Sequence, residues 1–254
     1  MLPITRRQKI KEYVAEKKSA TVLGLAELFG VTDETIRRDL KALEKEGVLM
    51  RTHGGAFIQT GVENLVNAGL RTGIYVENKT IIASICKGLI NNGDAIFLDN
   101  STTCLYIAKA VEDMRLTIVT NSLSIVDNLT GRENLNIISL GGVFSHSEKA
   151  FYGGITINNL SEYYVDKVFI SCRSLSIEHG ITDSTERWNQ VRQAAVERSK
   201  KTYLVADFSK FNEISFRRMC GFDRITAIIT DKPLGEDWHQ AMNQQGCMIY
   251  DQPE

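Results

Sequence analysis

Ten polar or glycine residues of this 254-residue sequence could bind an anion, because most of them directly follow short apolar runs that predict strands. In an open parallel sheet, ligands bind outside the carboxyl ends of the strands, where such residues would lie. Hydroxyl groups and N–H groups at a helix start can hold a phosphate, adjacent glycines admit the backbone close to it, and a lysine adds positive charge. The candidates are Asp99, Asn100, Ser101, Thr102, Thr103, Thr120, Asn121, Gly141, Gly142 and Lys210.

Helix capping is the alternative explanation for these residues, since Ser, Thr and Asn are favoured at helix N-termini and would occupy such positions without any ligand. The sequence contains no G-x-G-x-x-G motif and no Walker lysine pattern, which argues against a nucleotide cofactor. The four histidines are far apart and the five cysteines form no CxxC pair. We therefore expect neither a cofactor nor a metal site.

A second group of residues has the chemistry of DNA recognition. In the segment TIRRDLKALEKE, Ile36, Leu40 and Leu43 form one apolar stripe at helical spacing, so basic and small residues occupy the opposite face. Arginine can pair with guanine through two hydrogen bonds, and lysine and threonine can hold phosphates. An ordinary solvated basic face is the alternative. The candidates are Thr32, Thr35, Arg37, Arg38 and Lys41 on the helix, and Arg51 and His53 just beyond it.

The elements that would position the second group lie at the start of the chain. Between Thr5 and Gly47 the apolar residues keep helical spacing over three short segments. Gly30 and Val31 make a tight link, and Thr32 is a plausible N-cap for the third helix, which together predict a helix-turn-helix. The stretch VLMRTHGGAF that follows predicts a hairpin.

The rest of the chain alternates between strand and helix patterns. Helical patterns cover Lys79–Ile90, Thr103–Val111, Ser122–Leu129 and Glu186–Lys200. This alternation predicts βαβ units on a doubly wound, mostly parallel sheet of an α/β domain. The predicted domains are residues 1–57 and 77–254, with a linker at 58–76. The apolar runs are AIFLDN, LTIVTN, LNIISLGG, KVFISC, TYLVAD, ITAIIT and CMIYD.

Charge and composition limit the possible functions. A net charge of −1 and a pI near 6.5 argue, for the whole chain, against a nucleic-acid binder. However, residues 1–56 hold 11 of the 30 Lys and Arg but only 8 of the 31 Asp and Glu, so this segment carries +3 and the remainder −4. Without a CxxC pair, a secretion signal or a stretch of about 18 apolar residues, we expect a cytoplasmic protein outside the membrane.

A resemblance extends the interpretation of the N-terminal segment. The stretch LAELFGVTDETIRRDLKALEKEGVLMRTHGGA resembles the signature of the DeoR family of bacterial transcriptional repressors. The resemblance implies a winged helix-turn-helix domain that binds double-stranded operator DNA. It places the recognition helix at about Thr32 to Glu46 and the wing at about Arg51 to Ala56.

The remaining motifs resemble the sugar-phosphate-sensing domain of DeoR-type repressors, which is similar in fold to ribose-5-phosphate isomerase. They are LDNSTT, VTNSL, LGGVFS, DKVFIS, HGITD and VADFSKF, in this order. The resemblance implies a repressor of a carbohydrate-metabolism operon, and a helix-turn-helix protein that reads two half-sites is expected as a homodimer or homotetramer.

By the same resemblance, a phosphorylated sugar is the effector. Ser101, Thr102 and Thr103 would form its phosphate loop, Asn121 and Gly141 would line the pocket, and Lys210 would pair with the anion. This chain departs from the family pattern at two places. Ser101 stands where glycine is usual, and Trp188-Asn189 stand near the position of an acidic residue followed by alanine.

Two other function classes are alternatives for this sequence. A sugar-phosphate isomerase needs a carboxylate base near the anion site, and the segment FISCRSLSIEHG offers only Glu178, so we expect no catalysis. A redox-sensing repressor would bind a dinucleotide, for which the glycine fingerprint is missing.

Overall fold

A computed structural model of the chain describes residues 1–17, 19–46, 48–51, 54–57 and 75–252. It divides into two compact units, Met1–Val76 and Glu77–Glu254. The predicted extents of 1–57, 58–76 and 77–254 stay a prediction, because nearly all of 58–76 lies outside the described residues. Within the described ranges, no helix is both long enough and apolar enough to cross a membrane.

The first unit is a helix-turn-helix with a small antiparallel sheet. Its three predicted helices are present, and the sheet has the order β1-β3-β2. The strand β1 was not predicted, because three residues between two helices leave no detectable alternation. The elements are α1 (Pro3–Lys17), β1 (Ser19–Thr21), α2 (Val22–Phe29), α3 (Asp33–Lys45), β2 (Met50–Arg51) and β3 (Gly55–Phe57).

Local sequence explains where the helix α2 begins and ends. Thr21 caps α2 by accepting a hydrogen bond from the Gly24 N–H at 3.1 Å. Gly30 ends α2 with φ of 62°, a left-handed conformation that glycine adopts without steric cost. The fully buried side chains of this unit are Ile10, Val14, Leu25, Ile36 and Leu43.

The second unit contains every strand and helix predicted for it, and several more. The elements are α4 (Val76–Gly88), β4 (Ala95–Leu98), α5 (Thr102–Ala110), β5 (Leu116–Thr120), α6 (Leu123–Asn128), β6 (Leu135–Ser139), β7 (Val143–Ser145), β8 (Ala150–Tyr152), α7 (Gly154–Ser161), β9 (Val165–Ile170), β10 (Ser174–Ser176), β11 (Gly180–Asp183), α8 (Glu186–Glu197), β12 (Ser199–Val205), β13 (Arg217–Cys220), β14 (Ala227–Ile229), α9 (Glu236–Gln244) and β15 (Met248–Tyr250). Two 3-10 turns, Phe208–Lys210 and Phe222–Arg224, complete it.

The seven predicted apolar runs form one sheet in the order β15-β14-β12-β9-β4-β5-β6, and all its neighbouring strands pair in parallel. Successive residues of a strand belong to different hydrophobic clusters, one on each face of the sheet. For example, Phe97 packs with residues of α7, α8 and α9, whereas Ile96 and Leu98 pack with residues of α4, α5 and α6. The sheet is therefore covered on both faces, which confirms the predicted doubly wound α/β class.

The strand order reverses between β4 and β9, because the chain moves outward from β4 through β5 to β6 and then returns to the other side of β4. In open α/β sheets this reversal point opens a crevice at the carboxyl edge. The elements that sequence patterns missed are the hairpin β7-β8, the antiparallel sheet β10-β11-β13, and the helices α7 and α9. Their strands have only three or four residues, too few for a clear period.

Candidate DNA-binding surface and anion site

The helix α3 presents the predicted basic face. Ile36, Leu40 and Leu43 are buried, and Arg37, Arg38 and Lys41 are exposed. The helix begins at an N-cap, Thr32, whose Oγ1 accepts from the Thr35 N–H at 3.3 Å and lies 3.0 Å from Thr35 Oγ1. Thr32 and Thr35 thus stabilise the helix end that would enter a DNA groove.

A buried ion pair fixes α3 against α1. Arg6 Nε donates to Asp39 Oδ2 at 2.6 Å, and Arg7 Nε lies 3.7 Å from Asp39 Oδ1. Arg6 and Asp39 are 7% and 5% exposed. Neither residue of this pair is among the sequence-based candidates, although Asp39 lies three residues beyond Ile36, beside the apolar stripe.

Of the two candidates beyond α3, Arg51 and His53, the structure describes only Arg51. Arg51 is half-buried, and both its N–H and its guanidinium contact the Glu44 carboxylate, at 3.0 and 3.6 Å. This contact ties strand β2 to the last turns of α3. His53 lies outside the described residues, so its predicted role stays a prediction.

At the carboxyl edge of the large sheet, Asp99 joins the ends of β4 and β9. Its Oδ1 accepts from the Ser101 N–H at 2.8 Å, and its Oδ2 accepts from the Ser171 N–H at 3.0 Å and from Arg192 Nε at 2.7 Å. Asp99 is only 1% exposed. Both carboxylate oxygens therefore serve contacts within the protein.

Arg192 connects two buried carboxylates. Besides Asp99 it contacts Asp183, which ends β11, and all three side chains are nearly inaccessible to solvent. Burial alone would raise the pKa of Asp99, but the charge of Arg192 and the hydrogen bonds from Ser101 and Ser171 hold it below its ordinary value. Arg192 is not among the sequence-based candidates, although it follows Trp188 by one turn on the buried stripe of α8.

The start of α5 is built as an anion site would be. Ser101 is its N-cap, and its Oγ accepts from the Cys104 N–H at 3.1 Å. The N–H groups of the first helical turn, at Thr102 and Thr103, have no earlier helical carbonyl to bond. Asn100 Nδ2 donates to the Tyr152 hydroxyl at 2.8 Å. The hydroxyl of the unusual Ser101 thus joins the local hydrogen bonding as a helix cap.

Asn121 lies at the end of β5. Its Nδ2 donates to the Phe151 carbonyl at 3.0 Å, whereas its Oδ1 is buried and has no hydrogen-bond partner among the described residues. The preceding Thr120 donates to the Leu98 carbonyl at 2.7 Å, which links the ends of β4 and β5.

The paired glycines follow β6 and have a structural explanation. A Cβ at Gly142 would lie 2.1 Å from Thr156 Oγ1 and 2.8 Å from the Tyr152 carbonyl oxygen. Thr156 in turn donates to the Gly141 carbonyl at 2.7 Å. Close packing of α7 and β8 therefore requires glycine at 142, whether or not a ligand approaches.

Lys210 ends the 3-10 turn after β12 and is half-buried. Its charge acts on the Cys172 thiol beyond β9: burial and Asp183 raise the pKa of that thiol, and Lys210 and Arg192 oppose them. Lys210, Arg192 and Asp183 therefore all act on the Cys172 thiol, which lies just beyond the end of β9.

A further contact joins α4, the first helix of the second unit, to the carboxyl edge of the seven-stranded sheet. Asn78 Nδ2 donates to Asp231 Oδ2 at 2.5 Å, and Asp231 Oδ1 accepts from the Phe208 N–H at 2.8 Å. Asp231 follows β14 and thereby connects α4 to the turn that ends at Lys210.

Glu178 is exposed and contacts His179 at 3.7 Å. Within the ranges that the structure describes, no three His, Cys, Asp or Glu side chains gather as metal ligands. Cys104 is fully buried, and burial raises the pKa of its thiol well above the ordinary value.

Comparison with known proteins identifies the two units. Residues 6–61 match a family described as a DeoR-like helix-turn-helix domain, and residues 75–232 match the DeoR C terminal sensor domain. The chain is 38% identical over 234 residues to the uncharacterized HTH-type transcriptional regulator YulB of Bacillus subtilis (strain 168), covering 92% of this chain and 91% of YulB.

Two further proteins are similar. The HTH-type transcriptional repressor GlcR of Bacillus subtilis (strain 168) is 31% identical over 240 residues, covering 94% of this chain and 93% of GlcR. Ribose 5 phosphate isomerase A from Neisseria gonorrhoeae aligns at 14% identity with a TM-score of 0.39, over 54% of this chain and 53% of that chain. The sensor-domain match alone spans more than half of the sequence. This protein belongs to the DeoR family of helix-turn-helix transcriptional regulators.

Proposed function

We propose that this regulator is a repressor of a carbohydrate-metabolism operon, and that a phosphorylated sugar bound at the carboxyl edge of the seven-stranded sheet controls its affinity for the operator. The observation that carries the proposal is the start of α5. Its first-turn N–H groups open beside the point where the strand order reverses, within a DeoR-type sensor domain.

On the DNA side, the exposed face of α3 enters the major groove of the operator. Arg38 reads a base edge, and Arg37 and Lys41 bind neighbouring phosphates. Thr32 and Thr35 hold the helix start, and Arg51 and His53 contact the DNA backbone. A helix-turn-helix protein reads two half-sites about a helical turn or a multiple of it apart, so the working form is a homodimer or homotetramer.

On the effector side, the phosphate lies at the amides of Thr102 and Thr103, beside Ser101 and Asn100. Lys210 balances the phosphate charge. The sugar extends toward Asn121, Gly141 and Gly142. Asp99 and Thr120 position these loops, because the hydrogen bonds described above already engage their side chains.

Control of operator affinity requires that the ligand prefer one of two conformations. The route that we propose runs from Lys210 through the Phe208–Lys210 turn to Asp231, and from Asp231 to Asn78 at the start of α4. Two hydrogen bonds, of 2.8 and 2.5 Å, support this route. The helix α4 is the first element after residues 58–74, which connect it in sequence to the DNA-binding unit.

The test combines two measurements on the full-length protein. A thermal-shift screen against phosphorylated sugars identifies the effector, since a ligand at 100 times its Kd adds about 2.7 kcal/mol to the stability of the native state. Operator fragments from the flanking DNA of the gene are then titrated with and without that sugar. A sugar that binds but leaves operator affinity unchanged would refute the control, and absence of any stabilising phosphosugar would refute the effector class.

A further inference from the structure

Three buried oxygen atoms at the start of α8 have no hydrogen-bond partner among the described residues. They are Ser184 Oγ, Thr185 Oγ1 and Asn189 Oδ1. Ser184 is 4% exposed and Asn189 is 1% exposed. Thr185 is the N-cap of this twelve-residue helix, yet its side chain makes no capping hydrogen bond. The first turn of α8 therefore combines a helix N-terminus with buried polar side chains that lack partners.

Such atoms call for an explanation, because a buried polar group without a hydrogen bond costs free energy and is rare in native proteins. One turn later, the same helix has an amide side chain that does make a hydrogen bond. Gln193 donates its amide to the Met219 carbonyl on β13 at 2.6 Å. Asn189 makes a longer bond of 3.3 Å to the Arg218 carbonyl on the same strand, and its own oxygen remains unused.

Two links place this turn beside the anion site. Ser184 directly follows Asp183, and the guanidinium of Arg192 contacts both Asp183 and Asp99. On the other side, Arg187 lies over the Tyr152 ring at 5.5 Å, and the Tyr152 hydroxyl accepts from Asn100. Asp99 and Asn100, at the start of the segment 99–103, are therefore connected to the first two turns of α8.

We propose that Asn189, with Ser184 and Thr185, forms a hydroxyl-binding subsite for the sugar portion of the effector. An amide oxygen can only accept, so its partner is a donor, and two adjacent serine and threonine hydroxyls can donate or accept. This set suits neighbouring hydroxyl groups of a polyol chain. It disfavours a carboxylate, whose oxygens would face Asn189 Oδ1. The inference rests on the proposed function and makes Asn189 a specificity-determining residue.

The test separates the sugar from the phosphate. Wild-type protein is titrated by calorimetry with inorganic phosphate, which probes the anion site alone, and with phosphorylated sugars and their deoxy analogues. Asn189→Leu removes the acceptor. Gln193→Met is the matched control, because it removes a shorter amide-to-carbonyl bond between the same helix and the same strand.

We expect Asn189→Leu to weaken binding of the preferred sugar phosphate at least tenfold, which corresponds to about 1.4 kcal/mol. Its affinity for inorganic phosphate should stay within twofold of wild type, and Gln193→Met should leave both affinities unchanged. One deoxy analogue should bind wild type as weakly as the variant binds the parent sugar, with no further loss when the two changes are combined.

Three results would contradict the proposed subsite. If Asn189→Leu binds the sugar phosphate as wild type does, the three oxygens hold structural water and the subsite is refuted. Equal losses for inorganic phosphate and sugar phosphate would indicate a distorted domain and would also overturn a specificity role. If no phosphorylated sugar binds wild type at all, the proposed function fails first and the subsite fails with it.

Discussion

Arg192 donates from Nε to Asp99 Oδ2 over 2.7 Å, and this bond fastens helix α8 to the end of strand β4. The same guanidinium contacts Asp183, so one buried cation holds two buried anions together at the crevice. The net charge of the cluster is −1. Lys210 follows β12 in the turn that ends at the same edge of the sheet.

Replacing Arg192 with Met should strongly destabilise the sensor unit, because it leaves two adjacent carboxylates buried without a cation. We expect a loss of about 3 to 5 kcal/mol in the free energy of unfolding, measured by urea denaturation. Arg198→Met at the end of α8 is the control, since its guanidinium contacts the exposed Tyr164. A loss for Arg192→Met no larger than for the control would contradict the central role of this ion cluster.

The stability of the sensor unit should fall as the pH is lowered below about 4. The folded-state pKa of Asp99 is held below its unfolded value of about 3.9, so its ionised form stabilises the fold above that value. This contribution is lost as the pH drops through the folded-state pKa. Urea denaturation of wild type and Asp99→Asn between pH 3 and 7 checks it: the wild type should lose more stability over this range, and parallel profiles would exclude the effect.

Truncation of Arg38 tests base recognition by α3. If Arg38 reads a base, Arg38→Ala should weaken operator binding by about 1 to 3 kcal/mol and relax the sequence preference at one position, whereas Lys41→Ala should weaken all sequences alike and lower the salt slope by about 1. Fluorescence anisotropy with operator fragments at several salt concentrations measures both. Lys109→Ala, on α5 of the sensor unit, removes an equal charge and should change neither quantity.

The ion pair between Arg6 and Asp39 should contribute to the free energy of unfolding of the DNA-binding unit alone. Asp39→Asn leaves Arg6 buried without its carboxylate, and we expect a loss of about 3 to 5 kcal/mol in that unit, with loss of operator binding at 37 °C. Phosphosugar binding by the same variant should persist. Glu34→Gln, at an exposed position in the first turn of α3, should cost no more than about 1 kcal/mol.

Asn78→Ala tests the proposed route from the effector site to α4. The variant should bind the effector and the operator with near-normal affinity, but the effector should change operator affinity less than in wild type. Titrating operator binding against effector concentration measures this coupling. Glu77→Gln is the control at the neighbouring exposed position. An unchanged effector response in Asn78→Ala would remove this contact from the route.

Much of the fold follows from local patterns in the sequence. Each run that became a strand of the large sheet is apolar on both faces, as a parallel strand between two helical layers must be, and Ile36, Leu40 and Leu43 mark the buried side of α3. Such apolar patterns can be detected in the sequence because they recur within a few neighbouring residues. The three-residue strand β1 derives its pairing from the distant strand β3, and the three-residue strand β10 is too short to show an alternating pattern.

The positions of the candidate site residues were predictable in part for the same reason. Ser101 and Asn121 lie near the carboxyl edge of the sheet because they follow the strands β4 and β5, and parallel strands end at one edge. Arg192 and Asp183 could not be found, because their importance depends on Asp99, which lies more than 80 positions away. Gly142 was selected for closeness to a ligand, whereas the contact with Thr156 gives it a packing reason that only the three-dimensional structure reveals.

The hydrophobic core of the DNA-binding unit forms among residues from Ile10 to Ala56, and those of the sensor unit begin at Ile82. Among the described residues, none of these three clusters draws side chains from both units. Each unit therefore has its own set of core residues. A chimaera that joins the first unit of a related regulator to this second unit keeps both sets intact, so the DNA-reading helix can be exchanged while the core residues of the second unit stay the same.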